Sequence, residues 1–172
     1  VRIGFSAPPV YRETFERLVA VLPEACRAVY GERLKSLALF GSVARGTMRP
    51  DSDVDLFLVI EPLAPSLFER RTEFAEVERR LGPALDEARR AGVHTTLSPV
   101  LKTPAEMREG SFLHLDLTDQ ARILHDPQNV LRDYLDDLRR RLEKMGARRV
   151  HKGGGYYWVL KPDYQWGDRI EL

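Results

Sequence analysis

Two aspartates, Asp53 and Asp55, stand two residues apart in the stretch GSVARGTMRPDSDVDL, Gly41 to Leu56. The apolar run that follows reads as a strand, DVDLFLVI over 53–60. Side chains alternate along a strand, so both carboxylates project from one face. Two adjacent carboxylates repel unless a cation lies between them. Hard oxygen ligands of this kind suit magnesium, which keeps waters and takes its remaining ligands from substrate phosphates. Upstream, Gly41-Ser42 ends a second apolar run and can open a short helix. Exposed backbone N–H groups there attract phosphate oxygens, and glycine lets a ligand approach the backbone. One segment thus offers a phosphate cradle and a metal clamp. That is equipment for moving a nucleotidyl group, where positioning and charge neutralisation dominate.

Two other motifs fail on position. A Walker A loop needs lysine after its second glycine, and Thr47 follows Gly46. An EF-hand loop starting at Asp51 needs glycine sixth and glutamate twelfth, where Leu56 and Pro62 stand.

The elements that must position this segment follow from periodicity. Tyr11, Phe15, Leu18 and Leu22 recur at helical spacing behind Ser6 as cap and Pro8-Pro9 as first turn. Pro23 is expected to kink or end that helix, with a second piece running to Tyr30. LKSLALF (34–40) reads as a strand, and Leu56–Ile60, apolar at every position, as a central strand covered on both faces. Residues 66–90 read as a charged helix with i,i+4 pairs Glu76–Arg80 and Asp86–Arg90, split at Gly82-Pro83. VHTTLSPVL (93–101) is strand-like, and Thr103-Pro104 opens a helix. ARILHD (121–126) reads as a short strand, and a helix follows over about Pro127–Met145. The order implies an α/β (α+β) fold, a small mixed sheet flanked by helices, ending in a C-terminal helix and tail. The expected division is a domain over 1–126 and a C-terminal helix with aromatic tail over 127–172, packed on that domain or on a partner.

Gly41-Ser42, ten residues, then Asp53-Val54-Asp55 resembles the G-S-x10-D-x-D signature of the DNA polymerase β nucleotidyltransferase superfamily. The fuller form GSVARG…SDVDL looks most like the small, single-domain minimal nucleotidyltransferases. The resemblance implies a nucleotidyltransferase-like fold and a transferase moving a nucleoside monophosphate from an NTP, with ATP the expected donor. It implies magnesium on Asp53 and Asp55 as catalytic residues. Gly41 and Ser42 would hold the triphosphate, with Arg45 and Ser52 as further substrate contacts.

The chain departs from that family in one respect. Active members carry a third carboxylate on a neighbouring strand, and VHTTLSPVL holds none. His94, Thr96 and Ser98 share one face of that strand. His94 is a candidate base, since imidazole titrates near neutrality; Asp116, Asp119 and Asp126 are the other candidates. Two functions therefore stay open: a transferase, or a nucleotide-binding, antitoxin-like subunit paired with a HEPN-type protein.

Residues 139–152 hold seven arginines and lysines against Glu143, a local net charge of +6. This segment, Arg139 to Lys152, is either a solvated helix end complementing the macrodipole or a patch for RNA or an acidic partner. The tail carries Tyr156, Tyr157, Trp158, Tyr164 and Trp166, expected to fold back as an edge strand or pack on a partner, including a second copy. The one cysteine, Cys26, excludes an intrachain disulfide and reads as a small buried residue. No apolar stretch approaches the ~20 residues of a membrane span and no signal-peptide core stands at residues 1–9, so a cytoplasmic protein is expected.

Overall fold

A computed structural model describes residues 9–152 and 155–163. Helix α1 (Pro9–Tyr30) leads through a 3-10 turn (Gly31–Arg33) into strand β1 (Leu34–Phe40). Then come α2 (Gly41–Arg45), β2 (Val54–Ile60), α3 (Leu67–Arg90), β3 (Leu97–Lys102), α4 (Pro104–Arg108) and α5 (Phe112–Gln120). The chain continues through β4 (Arg122–His125), α6 (Val130–Lys144), β5 (Arg148–Lys152) and β6 (Gly155–Val159). The order β3-β2-β1-β4 makes a four-stranded mixed sheet. β1 runs antiparallel to both β2 and β4, while β2 and β3 are parallel. No helix among the described residues is long and apolar enough to cross a membrane.

The unbroken apolar run of β2 is explained by cover on both faces. Val54, Leu56, Leu58 and Ile60 pack with Phe15, Leu18 and Leu22 of α1 and Phe74, Val77 and Leu81 of α3. Phe57 and Val59 turn the other way, onto Leu117 of α5 and Leu131 and Leu135 of α6. Alternation places Asp55 on this second face, one residue pair before Phe57. β2 is thus a rigid mount, and the carboxylate stands where the cover of that face begins.

Both long helices run through prolines: Pro23, expected to kink or end α1, does not end it, and Gly82-Pro83, expected to split α3, does not. α1 is continuous across Pro23, because Phe15, Leu18, Leu22, Cys26 and Tyr30 keep one buried stripe in register. α3 is continuous across Gly82-Pro83, with Leu81 and Ala88 holding the stripe on either side. Each proline forfeits a backbone hydrogen bond, and burial of the stripe outweighs it. Ser66 caps α3 by accepting from the Glu69 N–H. Glu76 pairs with Arg80 as expected and also with Arg79, whereas Asp86 takes Arg89 rather than Arg90. The expected caps Ser6 and Pro8 and the aromatics Tyr164 and Trp166 lie outside the described residues.

Three further boundaries differ. The third strand starts at Leu97 rather than Val93, so His94 lies in the loop before it. The helix α5 was not expected: Leu113, Leu115 and Leu117 alternate in FLHLDLT, and its helical face appears only when His114 and Thr118 are counted inward. The basic segment is no single helix end; α6 stops at Lys144 and Arg148–Lys152 is a strand paired with β6. This hairpin seats Trp158 on Leu115, Leu138 and Leu142.

Candidate nucleotide and metal site

The site forms where β1 ends and β2 begins. Phe40 and Asp55 are abreast across the antiparallel pair, so Gly41 is the first residue past the β1 rung that faces Asp55. Gly41 has φ +71°, and a Cβ built there would lie 2.0 Å from Asp55 Oδ2. Only glycine fits that contact. α2 follows at once, with Ser42 in its first turn and Arg45 in its last. Gly46, at φ +70°, closes α2, its N–H donating to the Val43 carbonyl. From α1, Arg12 reaches the Gly46 carbonyl.

The loop between α2 and β2 is pinned from the side of β3. The Ser52 hydroxyl oxygen accepts from the Arg49 N–H at 2.8 Å, and the Ser52 N–H donates to the Arg49 carbonyl at 3.1 Å. Ser52 thus shapes the turn that delivers Asp53. The His94 N–H donates to the Pro50 carbonyl at 2.7 Å, and Thr95 Oγ1 donates to the Ser52 carbonyl at 2.7 Å. His94 therefore contributes its backbone to the loop.

Two hydroxyls stand beside the two carboxylates, Thr96 in the loop just before β3 and Ser98 on β3. Thr96 Oγ1 donates to Asp53 Oδ1 at 2.7 Å. Ser98 is abreast of Asp55 across the parallel pair. Burial pushes the Asp55 carboxyl above its usual range, and the charge of Asp53 adds to that. Nearby Arg45 and Ser98 pull it back down. A pair in this condition gains from a cation, and its hard oxygen donors suit a divalent one.

The other candidate carboxylates are engaged elsewhere. Asp126 accepts from Ser36 Oγ at 2.7 Å and from the Arg132 N–H at 2.9 Å, capping α6. Asp116 accepts from Trp158 Nε1 at 3.2 Å, and Asp119 pairs with Arg149 at 3.2 Å. Among the described residues, no group of three or more His, Cys, Asp and Glu is placed to hold a metal ion. Thr96 and Ser98, which the sequence showed only as lacking charge, are the residues that β3 and the loop before it bring to the pair.

The sequence reading did not find Gln120. Its Oε1 accepts from Arg45 Nη1 at 2.6 Å, from the last turn of the unexpected helix α5. The basic segment is largely neutralised within the chain: Arg139 pairs with Asp136, Arg140 and Arg141 with Asp137, and Arg149 with Asp119.

This chain is similar to several known proteins. A protein of Methanocaldococcus jannaschii, whose name proposes a protein adenylyltransferase, is 31% identical over 118 residues, spanning 67% of this chain and 75% of its own. A solved Sulfolobus solfataricus structure, whose name proposes a nucleotidyltransferase, is 16% identical with a TM-score of 0.46, over 73% of this chain and 95% of that one. A solved toxin–antitoxin structure with AMP-PNP is 17% identical with a TM-score of 0.38, over 78% and 95%. The family model described as a nucleotidyltransferase domain matches residues 20–111, a stretch holding Gly41, Ser42, Arg45, Ser52, Asp53, Asp55, Thr96 and Ser98. With more than half its length matched to that domain, and G-S-x10-D-x-D folded together at one end of the central strands β1 and β2, this chain belongs to the nucleotidyltransferase family as a minimal nucleotidyltransferase.

Proposed function

We propose that this chain binds a nucleoside triphosphate, ATP the expected donor, and transfers its nucleoside monophosphate to an acceptor. The contact of Gly41 with Asp55 carries this reading, because it sets open backbone directly beside a carboxylate pair. The family typically works with a divalent metal. The donor set fits one: two carboxylates meet at the start of the central strand β2, and the anionic form of Asp55 is disfavoured by burial and by Asp53. We read the ion as magnesium held by Asp53 and Asp55; when bound, it supplies charge neutralisation at the phosphates. Gly41 and Ser42 offer backbone N–H groups to phosphate oxygens, Arg45 adds a cation beside them, and Ser52 holds the turn before Asp53. Thr96 fixes Asp53, and Ser98 stands beside Asp55. Residues 127–172 are read as part of the same unit, a reading supported by Leu131 and Leu135 packing against Phe57.

A second reading is a nucleotide-binding subunit that pairs with a HEPN-type protein and transfers slowly or not at all. It is favoured by the neutral pair Thr96 and Ser98 and by the lack, among the described residues, of a third metal-ligating side chain at the site. Incubation with each labelled NTP, magnesium and candidate partners separates the two. Covalent label on an acceptor establishes the transferase. Saturable, Asp53- and Asp55-dependent binding without label establishes the subunit. No magnesium-dependent binding contradicts both.

A further inference from the structure

A cavity of about 400 Å3 opens at the end of the sheet away from the aspartate pair. Arg27 of α1, Glu32 of the 3-10 turn, Lys35 near the start of β1, and His125 and Gln128 at and after the end of β4 line it. Antiparallel pairing sets His125 beside Leu37, on the stretch of β1 that carries Lys35. Gly41 follows the other end of β1, roughly 20 Å away at the rise of a strand. Lys35 and His125 are half-buried and form the inner wall; Arg27, Glu32 and Gln128 are exposed and form the mouth.

The charged groups here do not neutralise one another. On the same helix Arg17 pairs with Glu87, and from the same turn Arg33 pairs with Glu73. Among the described residues, Arg27 and Lys35 have no carboxylate partner and the Glu32 carboxylate has no cation. Lys35 Nζ donates instead to the Glu32 carbonyl at 2.9 Å, which holds the ammonium by backbone and leaves the carboxylate unpaired. A ligand that satisfies both signs carries an anion and hydroxyl donors side by side. A phosphate monoester matches Arg27 and Lys35, and His125 adds an N–H donor in either tautomer. Sugar hydroxyls next to that phosphate donate to Glu32, as ribose hydroxyls do to acidic side chains in dinucleotide sites. Gln128 offers a donor and an acceptor to whatever the sugar carries. The volume falls within the range of about 300–1,000 Å3 that small-molecule sites occupy.

We propose that this cavity binds a ribose 5-phosphate unit, either as the free sugar phosphate or within a nucleoside monophosphate. Two cations against one carboxylate suit a single phosphate rather than a triphosphate with its magnesium. The site is separate from the nucleotide and metal site, and the proposal does not rest on the reading of that site.

The test uses the full chain as Asp53→Ala with Asp55→Ala, without magnesium, so that the cavity is read alone. Calorimetry compares inorganic phosphate, ribose 5-phosphate and AMP. Ribose 5-phosphate and AMP are expected to bind saturably and about fivefold or more tightly than inorganic phosphate. Lys35→Gln and Arg27→Gln should each weaken both about five- to tenfold. Glu32→Gln should weaken both and leave inorganic phosphate unchanged or tighter. AMP binding more tightly than ribose 5-phosphate makes the nucleotide the occupant, and equal affinities make it the sugar phosphate; either result supports the cavity. No binding, affinities unmoved by Lys35→Gln and Arg27→Gln, or inorganic phosphate held as tightly as ribose 5-phosphate overturns the proposal. A second readout needs no substitution in the cavity. On adding AMP, the amide resonances of Lys35 and His125 are expected to shift while those of Gly41 and Ser42 stay; shifts confined to Gly41 and Ser42 overturn it.

Discussion

Gly41 and Asp55 are in contact through the absence of a side chain: a Cβ at position 41 would stand 2.0 Å from Asp55 Oδ2. Gly41→Ala is therefore expected to displace the carboxylate as well as strain the backbone at φ +71°. The left-handed backbone alone costs about 1–2 kcal/mol. Gly31→Ala is the control, with φ +55° but nothing within 4 Å of its Cβ. Both variants should lower the unfolding midpoint, and only Gly41→Ala should lose magnesium-dependent ATP affinity, by about tenfold or more. Equal ATP affinity in the two variants would count against the contact.

Ser98 offers a test of charge at the pair. It is abreast of Asp55 on the parallel strand and open to solvent. Ser98→Asp places a third carboxylate toward the same point, and Mn2+ binding without nucleotide should tighten about tenfold or more. Ser98→Asn, close in size and neutral, should bind Mn2+ like the parent. Calorimetry that finds the two variants alike would show that position 98 does not face the ion.

His114 gives the fold a pH dependence. It is 1% exposed, its Nδ1 is 2.7 Å from the Tyr134 hydroxyl, and its ring stands edge-on to Phe57. Burial, with a smaller contribution from Lys102, pushes its pKa down to about 4. Below the unfolded value near 6.5 the unfolded chain binds a proton that the folded chain does not, so stability falls until pH reaches the folded value. The stabilisation lost across that window is on the order of 3 kcal/mol. Relative to His114→Gln, the parent should lose that much in urea denaturation as pH drops from about 7 to about 4.5. A difference that stays constant with pH would contradict the burial of a neutral imidazole.

Arg70 and Glu106 clamp α3 to the start of α4, with N–O distances of 2.7 and 2.9 Å. Arg70 is 5% exposed, so Glu106→Ala leaves a buried cation without its anion. The cost should be about 3 kcal/mol, the low end for a broken buried pair because Glu106 is partly exposed. Arg70→Met removes the buried charge itself and should cost less. Urea midpoints in the reverse order would contradict this assignment.

The sheet was legible because its strands carry their own signals. Leu34–Phe40 and Leu56–Ile60 are apolar runs bounded by glycine, aspartate and proline, and the register of G-S against D-x-D follows once they pair. The candidate pair Asp53 and Asp55 was legible for the same reason. That neither Pro23 nor Pro83 ends its helix was not legible, because local propensity cannot see a buried stripe that continues past the proline. α5 stayed hidden because its inward face uses His114 and Thr118, polar residues that hydrogen-bond the Tyr134 hydroxyl and the Leu115 carbonyl. With α5 went Gln120 and the link to the hairpin, which joins residues far apart in the chain and has no local pattern.

The central claim is that Asp53 and Asp55 hold a divalent cation that brings a nucleoside triphosphate to Gly41-Ser42. Titration of ATP with and without magnesium, on the parent and on Asp53→Ala with Asp55→Ala, tests it most directly. Saturable binding that needs both magnesium and the two aspartates is the predicted result. A double variant that binds ATP with magnesium as tightly as the parent would contradict it.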